Sequence, residues 1–247
     1  MDTASPPKTK PRRPDSRPHS TTAGRILACT GALLLIGVCV ICARWGLADR
    51  IVVDASERQS ALQDRIARTG EPADAREVAS LADALFLLAQ QLEPGNPDIP
   101  EQLGGLYALK VRNGGAGGII GNQGAKALEQ FSSAVVMRPS SPYAWANLAR
   151  IKYDQGQVDD IFYRALDNAM RLGPWERDVQ FAVVDLGFAL WDKAPTALRP
   201  RILSVVQNGL TRDAAQMLVI AQRHGRLAEV CKLEKLASVA ACKLISG

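Results

Sequence analysis

The sequence predicts an all-α protein, with a single N-terminal transmembrane helix followed by a solenoid of stacked helix pairs. Three observations predict it. Ile26 to Ala43 is a run of eighteen residues without a charge. Apolar residues recur at three- and four-residue steps through Val78 to Leu92, Leu128 to Val136 and Tyr143 to Tyr153, the period of a helix with one buried face. Ala82, Phe86, Ala89 and Pro94 return as Ala127, Phe131, Ala134 and Pro139 with identical internal spacing, 45 residues on. With 47% hydrophobic and 22% charged residues over 247 positions, the chain excludes a wholly disordered protein, a collagen and a multi-span membrane protein.

Residues 1–25 read as a disordered basic cytoplasmic tail. Pro6, Pro7, Pro11, Pro14 and Pro18 crowd its first eighteen positions. Lys8, Lys10, Arg12, Arg13, Arg17 and Arg25 against Asp2 and Asp15 contribute +4 of the formal net charge of +5. The remainder therefore has almost no excess charge with which to neutralise phosphates, and a nucleic-acid partner is excluded from the expectation. Attraction to a membrane surface is the physical role that suits the tail.

Residues 26–45 read as the transmembrane helix. The uncharged run lies between Arg25 and Arg44 and would cover about 27 Å at 1.5 Å per residue, close to a hydrocarbon core, with Trp45 placed for the interface. A cleaved signal peptide wants a short basic region and small residues at alternating positions before its cleavage site, and neither is present. A lipoprotein cysteine should follow a hydrophobic run, whereas Cys29 precedes one. The expectation is an uncleaved single-pass anchor, N-terminus cytoplasmic by the positive-inside rule, with residues 44 to 247 translocated. Arginine outnumbers lysine, alanine is abundant and no Asn-x-Ser/Thr sequon occurs, which points to a bacterial inner membrane with the C-terminal domain in the periplasm.

Residues 46–174 carry the repeats. After the first two copies a third follows, with Trp145 and Leu148 at the start of its first helix, then Leu166, Ala169 and Pro174. These positions resemble the tetratricopeptide repeat over roughly Val78 to Pro174. In such a pair small alanines let two helices approach closely, Phe or Leu fills the groove between them, and proline stops the helix before the next pair. The chain departs from the family pattern in three places: Tyr153 lies one residue late, Ala149 stands for a glycine, and the first helix of the first copy is poorly matched, with residues 57–68 available to supply it.

In the second copy Leu103, Gly104 and Tyr107 match the first helix, but Ala127 arrives eleven residues late. A Gly-rich insertion, 111–124, accounts for the delay. Its glycines form no G-x-x-x-x-G-K-[ST] or G-x-G-x-x-G pattern and stand between helices, where a phosphate loop would follow a strand. The insertion reads first as a connector and second as a loop contacting a partner or a glycan.

Residues 175–247 are expected to form a C-terminal helical cap. Arg177 to Leu190, a helix opening near Pro200, Asp213 to Arg223 and Leu227 to Leu244 supply its helices. Trp175 and Trp191, at pair boundaries in a chain with little aromatic content, read as core plugs in preference to binding aromatics.

No catalytic constellation, metal site or cofactor motif is legible. Histidine occurs only at His19 and His224, too few for a His-based metal site, and no G-x-S-x-G elbow appears. Asp159 and Asp160 read as a charge feature at a helix N-terminus. The expectation is a non-enzymatic scaffold that uses no cofactor and binds partners on the concave face of its first helices. The tetratricopeptide pattern places Tyr143, Asn147, Arg150 and Tyr153 on or near that face, suited to an extended peptide or a sugar. Tyrosines at such spacing also pack between neighbouring repeats.

Phe162 to Trp191, with the anchor before it and two cysteines after it, resembles the VpsP type of bacterial polysaccharide-biosynthesis proteins. Leu172-Gly173-Pro174-Trp175-Glu176 and Val183-Val184-Asp185-Leu186-Gly187 carry the resemblance. It implies a membrane-tethered accessory that docks inner-membrane or periplasmic proteins of an exopolysaccharide biosynthesis or export system, with possible glycan contact. An assembly factor of a secretion, pilus or cytochrome-maturation complex would use the same architecture. Cys231 and Cys242 are the only cysteines outside the apolar run. The intervening Lys232 to Ala241 has no proline or glycine, and eleven residues of unbroken helix would hold the two Cα atoms about 16 Å apart, against the roughly 7 Å limit of a disulfide. An oxidising compartment and the resemblance both imply a bridge, which requires the chain to turn near Leu236 to Ser238. Local propensity favours two free thiols, and the bridge is the expectation.

Overall fold

The computed structural model describes residues 22–69, 75–113 and 120–233. All secondary structure among them is helical: α1 (Thr22–Thr69), α2 (Ala75–Leu92), α3 (Asp98–Asn113), α4 (Ile120–Met137), α5 (Pro142–Asp154), α6 (Asp160–Leu172), α7 (Arg177–Ala189), α8 (Leu198–Arg223) and α9 (Leu227–Cys231). The chain divides into two units, Met1–Arg44 and Trp45–Gly247.

In the first unit the described residues belong to α1, and residues 1–21 of the expected tail lie outside them. The helix contains an 18-residue window of mean hydropathy 2.7 with none of it buried, and is long and apolar enough to cross a membrane. Leu33, Leu34 and Leu35 are all exposed. In water each such side chain would forgo about 1.5–3 kcal/mol of burial free energy, which hydrocarbon supplies.

In the second unit every helix from α2 onward packs against its neighbour in sequence. The closest associations are within α3/α4, α5/α6 and α7/α8, and alternate helices also touch, α3 with α5, α5 with α7 and α6 with α8. The recurring residues explain why. Ala82, Phe86 and Ala89 of α2, Ala127, Phe131 and Ala134 of α4, and Leu166 and Ala169 of α6 are all buried in one continuous apolar cluster. Pro94, Pro139 and Pro174 each stand two residues beyond the helix they follow, where the chain cannot continue helical. Ala55 and Leu62, on the C-terminal stretch of α1, join the same cluster.

Helix pairs close on small residues. A Cβ at Gly104 of α3 would lie 2.8 Å from the Phe131 ring of α4, and one at Gly187 of α7 would lie 2.7 Å from Ile202 Cδ1 of α8. Ala149, fully buried on α5, fills the corresponding place in the pair between them. The repeat signature fades in the sequence beyond Pro174, yet α7/α8 reuse the arrangement with different residues, and α7 packs on both α5 and α6. No structural break separates the expected cap from what precedes it.

The termini follow local chemistry. Ser141 caps α5, its hydroxyl accepting from Ala144 N at 3.2 Å with Pro142 in the first turn. Asp159 caps α6 by accepting from Phe162 N at 2.9 Å, and Asp160 adds negative charge in the first turn, the helix-end role expected of this pair. Gly156 and Gly225 end α5 and α8 at φ +72° and +65°, where a side chain would be strained. Within α8, Asp213 leaves helical geometry at φ −147°, ψ 72°, and accepts from Gln216 N at 3.1 Å, restarting the helix where the sequence predicts a start.

Three expectations are corrected. The insertion 111–124 is narrower, because α3 continues to Asn113 and α4 begins at Ile120; residues 114–119 lie outside the described residues. Gly124 is a buried helical residue whose carbonyl accepts from Gln155 Nε2 at 2.6 Å. Trp175 is 55% exposed: it stands in the short α6–α7 connection, off the inward face of either helix. Trp191 is the plug of the two, buried against Phe188 in an edge-to-face pair at 5.5 Å. Finally, α9 stops at Cys231, with Lys232 and Leu233 in a turn, so no helix runs unbroken through Leu227 to Leu244; residues 234–247 lie outside the described residues.

Candidate functional site

α5 supplies all four residues expected to meet a partner, and its neighbours divide them. Tyr143 and Asn147, one turn apart, line an open groove of about 360 Å³ between α5 and α3. Asp98, Glu101 and Gln102 of α3 form the opposite wall, with Arg138 and Ser141 of the α4–α5 connection at one end. Gln59 of α1 lines it too, at 7% exposed. No Cβ intervenes there, because the adjacent residue of α3 is Gly105, where one would come within 3.3 Å of Gln59 Nε2.

The wall charges are partly compensated. Arg138 Nη1 stands 2.6 Å from Asp98 Oδ1, an exposed pair. Burial pushes the Glu101 carboxyl above the ordinary range, with Asp98 adding to the rise and Arg138 opposing it. Tyr143 donates its hydroxyl to the Glu176 carboxylate at the start of α7, and that hydrogen bond leads in pushing its pKa up to about 12. The ring, 40% exposed, is thereby held in a fixed orientation.

Arg150 is occupied elsewhere. Its Nη2 lies 2.6 Å from Asp185 Oδ2 on α7, and Asp185 Oδ1 meets His224 Nε2 at 2.7 Å and Arg223 Nη1 at 3.4 Å at the end of α8. Burial alone would raise the Asp185 carboxyl, but the hydrogen bonds from His224 and Arg150 and the charges around it hold it below the ordinary range. Asp154, one turn beyond Arg150, moves the other way: burial raises it while Arg150 and Arg112 pull it down. Tyr153 is half-buried against the apolar cluster, the packing role that its spacing also allowed. Two of the four expected residues therefore share one groove, and a third pins α5 to α7.

Sequence reasoning missed the polar partners. Asp185 and Glu176 both lie in the two stretches that prompted the polysaccharide resemblance, and each engages a residue expected to bind. A second clasp joins α2 to α3: Tyr107 donates to Asp83 Oδ1 at 2.7 Å and Lys110 Nζ lies 2.8 Å from Asp83 Oδ2. Burial first, and then Asp83, drive the Tyr107 hydroxyl far above its usual range. Lys152, 4% exposed, is matched by Asp159 at 2.9 Å and Gln157 at 3.1 Å.

Among the described residues no group of three or more His, Cys, Asp or Glu side chains could hold a metal ion. Besides His224, the described ion-pair partners of Asp185 are Arg150 and Arg223, so its carboxylate sits in an ion-pair network. Cys231 is disulfide-bonded, and Cys242 lies outside the described residues. No protein-family model matches the chain, and no curated protein is significantly similar to it.

Proposed function

We propose that the chain is a non-enzymatic, tetratricopeptide-like scaffold, anchored in a bacterial inner membrane by the apolar stretch of α1, whose periplasmic body docks partners in exopolysaccharide biosynthesis or export. One observation carries the architectural part: the buried Ala, Phe and Ala positions of α2 recur on α4, and their last two recur on α6 as Leu166 and Ala169, each helix followed two residues later by proline, with successive helices packed as neighbours. In a tetratricopeptide stack the first helices of the pairs line one surface, and the groove between α3 and α5 is formed by two helices in that position, which supports the reading. The bonded state of Cys231 supports a compartment outside the cytoplasm. The two stretches Leu172 to Glu176 and Val183 to Gly187 support the polysaccharide assignment by resemblance.

The decisive experiment is deletion of the gene followed by measurement of secreted polymer, with complementation by the full chain. Loss of polymer at normal transcript levels of the neighbouring genes is expected. Normal polymer with defective pili, secretion or cytochromes would replace this reading with the assembly-factor one. Topology has its own check: a reporter active only outside the cytoplasm, fused after Gly247, should be active, and activity of a cytoplasm-only reporter there would remove the anchor orientation.

A further inference from the structure

Among the described residues four buried side-chain polar atoms have no hydrogen-bond partner, Gln59 Oε1, Gln123 Oε1, Gln180 Oε1 and Arg226 Nε, and of these residues Gln59 is the one that lines the α3–α5 groove. A glutamine held this way weakens the fold relative to an apolar residue of similar volume. It lines the α3–α5 groove, whose other contacts are polar: the amides of Gln102 and Asn147, the Glu101 carboxyl and the exposed ring of Tyr143.

We propose that this groove binds an uncharged, hydroxyl-rich sugar chain. A sugar hydroxyl both donates and accepts, and so does a primary amide; three amides on three different helices therefore offer matched pairs to neighbouring hydroxyls, while Glu101 adds acceptors. The Tyr143 ring, held by Glu176, supplies a flat face for the C–H side of a pyranose. The groove is lined mainly by polar groups and is not apolar enough to anchor peptide side chains. A basic peptide is disfavoured because Asp98 already has its cation in Arg138 at 2.6 Å. An anionic polymer is disfavoured because two carboxylates face one guanidinium. The biological setting of this site rests on the polysaccharide reading above, whereas the chemistry rests on Gln59 and the amides around it.

The test uses the full chain in lipid nanodiscs, with calorimetry and saturation-transfer NMR against cellohexaose, maltohexaose and chitohexaose in its N-acetylated form, and with hexalysine as the charged comparison. Saturable binding of at least one neutral hexasaccharide is expected, weakened tenfold or more by the pair Gln102→Ala and Asn147→Ala. Gln59→Met should weaken binding as well while leaving the thermal unfolding midpoint unchanged or higher, a combination that a purely structural glutamine would not produce. The proposal is overturned if none of the three sugars saturates, if the variants bind as the parent does, or if hexalysine binds in their place. Polymer loss on gene deletion together with no sugar binding would overturn the groove alone; sugar binding together with normal polymer would support the groove and remove the biosynthetic setting.

Discussion

Asp185 Oδ2 stands 2.6 Å from Arg150 Nη2, and this contact fastens α7 to the face of α5 on which a partner was expected to land. The same carboxylate takes His224 and Arg223 from the end of α8 on its other oxygen. Arg150 is therefore a structural tie between successive pairs, and a charge reversal there would set a third carboxylate beside Asp154 and Asp185. Tyr143 and Asn147 are the residues of α5 that line the groove.

Replacing Asp185 with Asn should lower stability by about 2 kcal/mol at neutral pH, because it leaves partly buried cations without their counter-charge. The folded carboxyl lies below its ordinary 3.8, so its stabilisation is fully present above that pH and is lost as pH falls through the lowered folded value. Urea unfolding of parent and variant between pH 7 and pH 3 should show the gap narrowing only at the acid end; a gap independent of pH would mean that packing, not charge, sets it.

Gly187→Ala should destabilise by about 1–3 kcal/mol, since its Cβ would lie 2.7 Å from Ile202 Cδ1 in the α7/α8 interface. Adding Ile202→Val removes that methyl and should recover part of the loss. Thermal unfolding of the single and double variants measures the coupling, and strict additivity would show that the two helices do not meet there.

Asp159→Ala removes the α6 cap and the counter-charge of buried Lys152, and should cost about 1 kcal/mol or somewhat more. Asp159→Asn keeps the cap and should retain most of the stability. The hydrogen bond from Phe162 N, followed by Lys152, holds the Asp159 carboxyl below the ordinary range, so this contribution too is present above pH 3.8 and disappears as pH falls through the folded value. Equal losses in the two variants would assign the effect to the charge in place of the cap.

Cys231 should resist alkylation in the denatured, unreduced protein and react after reduction, as its bonded state requires. Peptide mass spectrometry identifies its partner at the same time. Alkylation of Cys231 before reduction, in protein exported to an oxidising compartment, would show a free thiol and remove the bridge.

Much of the architecture is legible along the chain because it depends on neighbours in sequence. An eighteen-residue run without charge makes a helix fit for hydrocarbon whatever surrounds it, and Phe86 and Phe131 declare their burial by the alanines three and four positions away on the same helical face. Caps are equally local: Ser141 and Asp159 reach amides three residues on. The α7/α8 pair escaped notice because Gly187 and Ile202 do the work of Gly104 and Phe131 with other side chains, and packing conserves volume and distance, not residue type.

The polar contacts are a different matter. Asp185 and His224 are 39 residues apart, and Tyr143 and Glu176 are 33 apart. Gln59 approaches α3 only because Gly105 leaves room for it. Whether such groups meet depends on the rotation and axial shift of each helix against the next, which the summed packing of the apolar layer sets to within an ångström and no local pattern encodes. The amino-acid order thus determines that this chain makes an apolar span and amphipathic helices with proline stops, while the packed helices decide that Arg150 is tied, Tyr143 is held and the Gln59 Oε1 is buried without a partner.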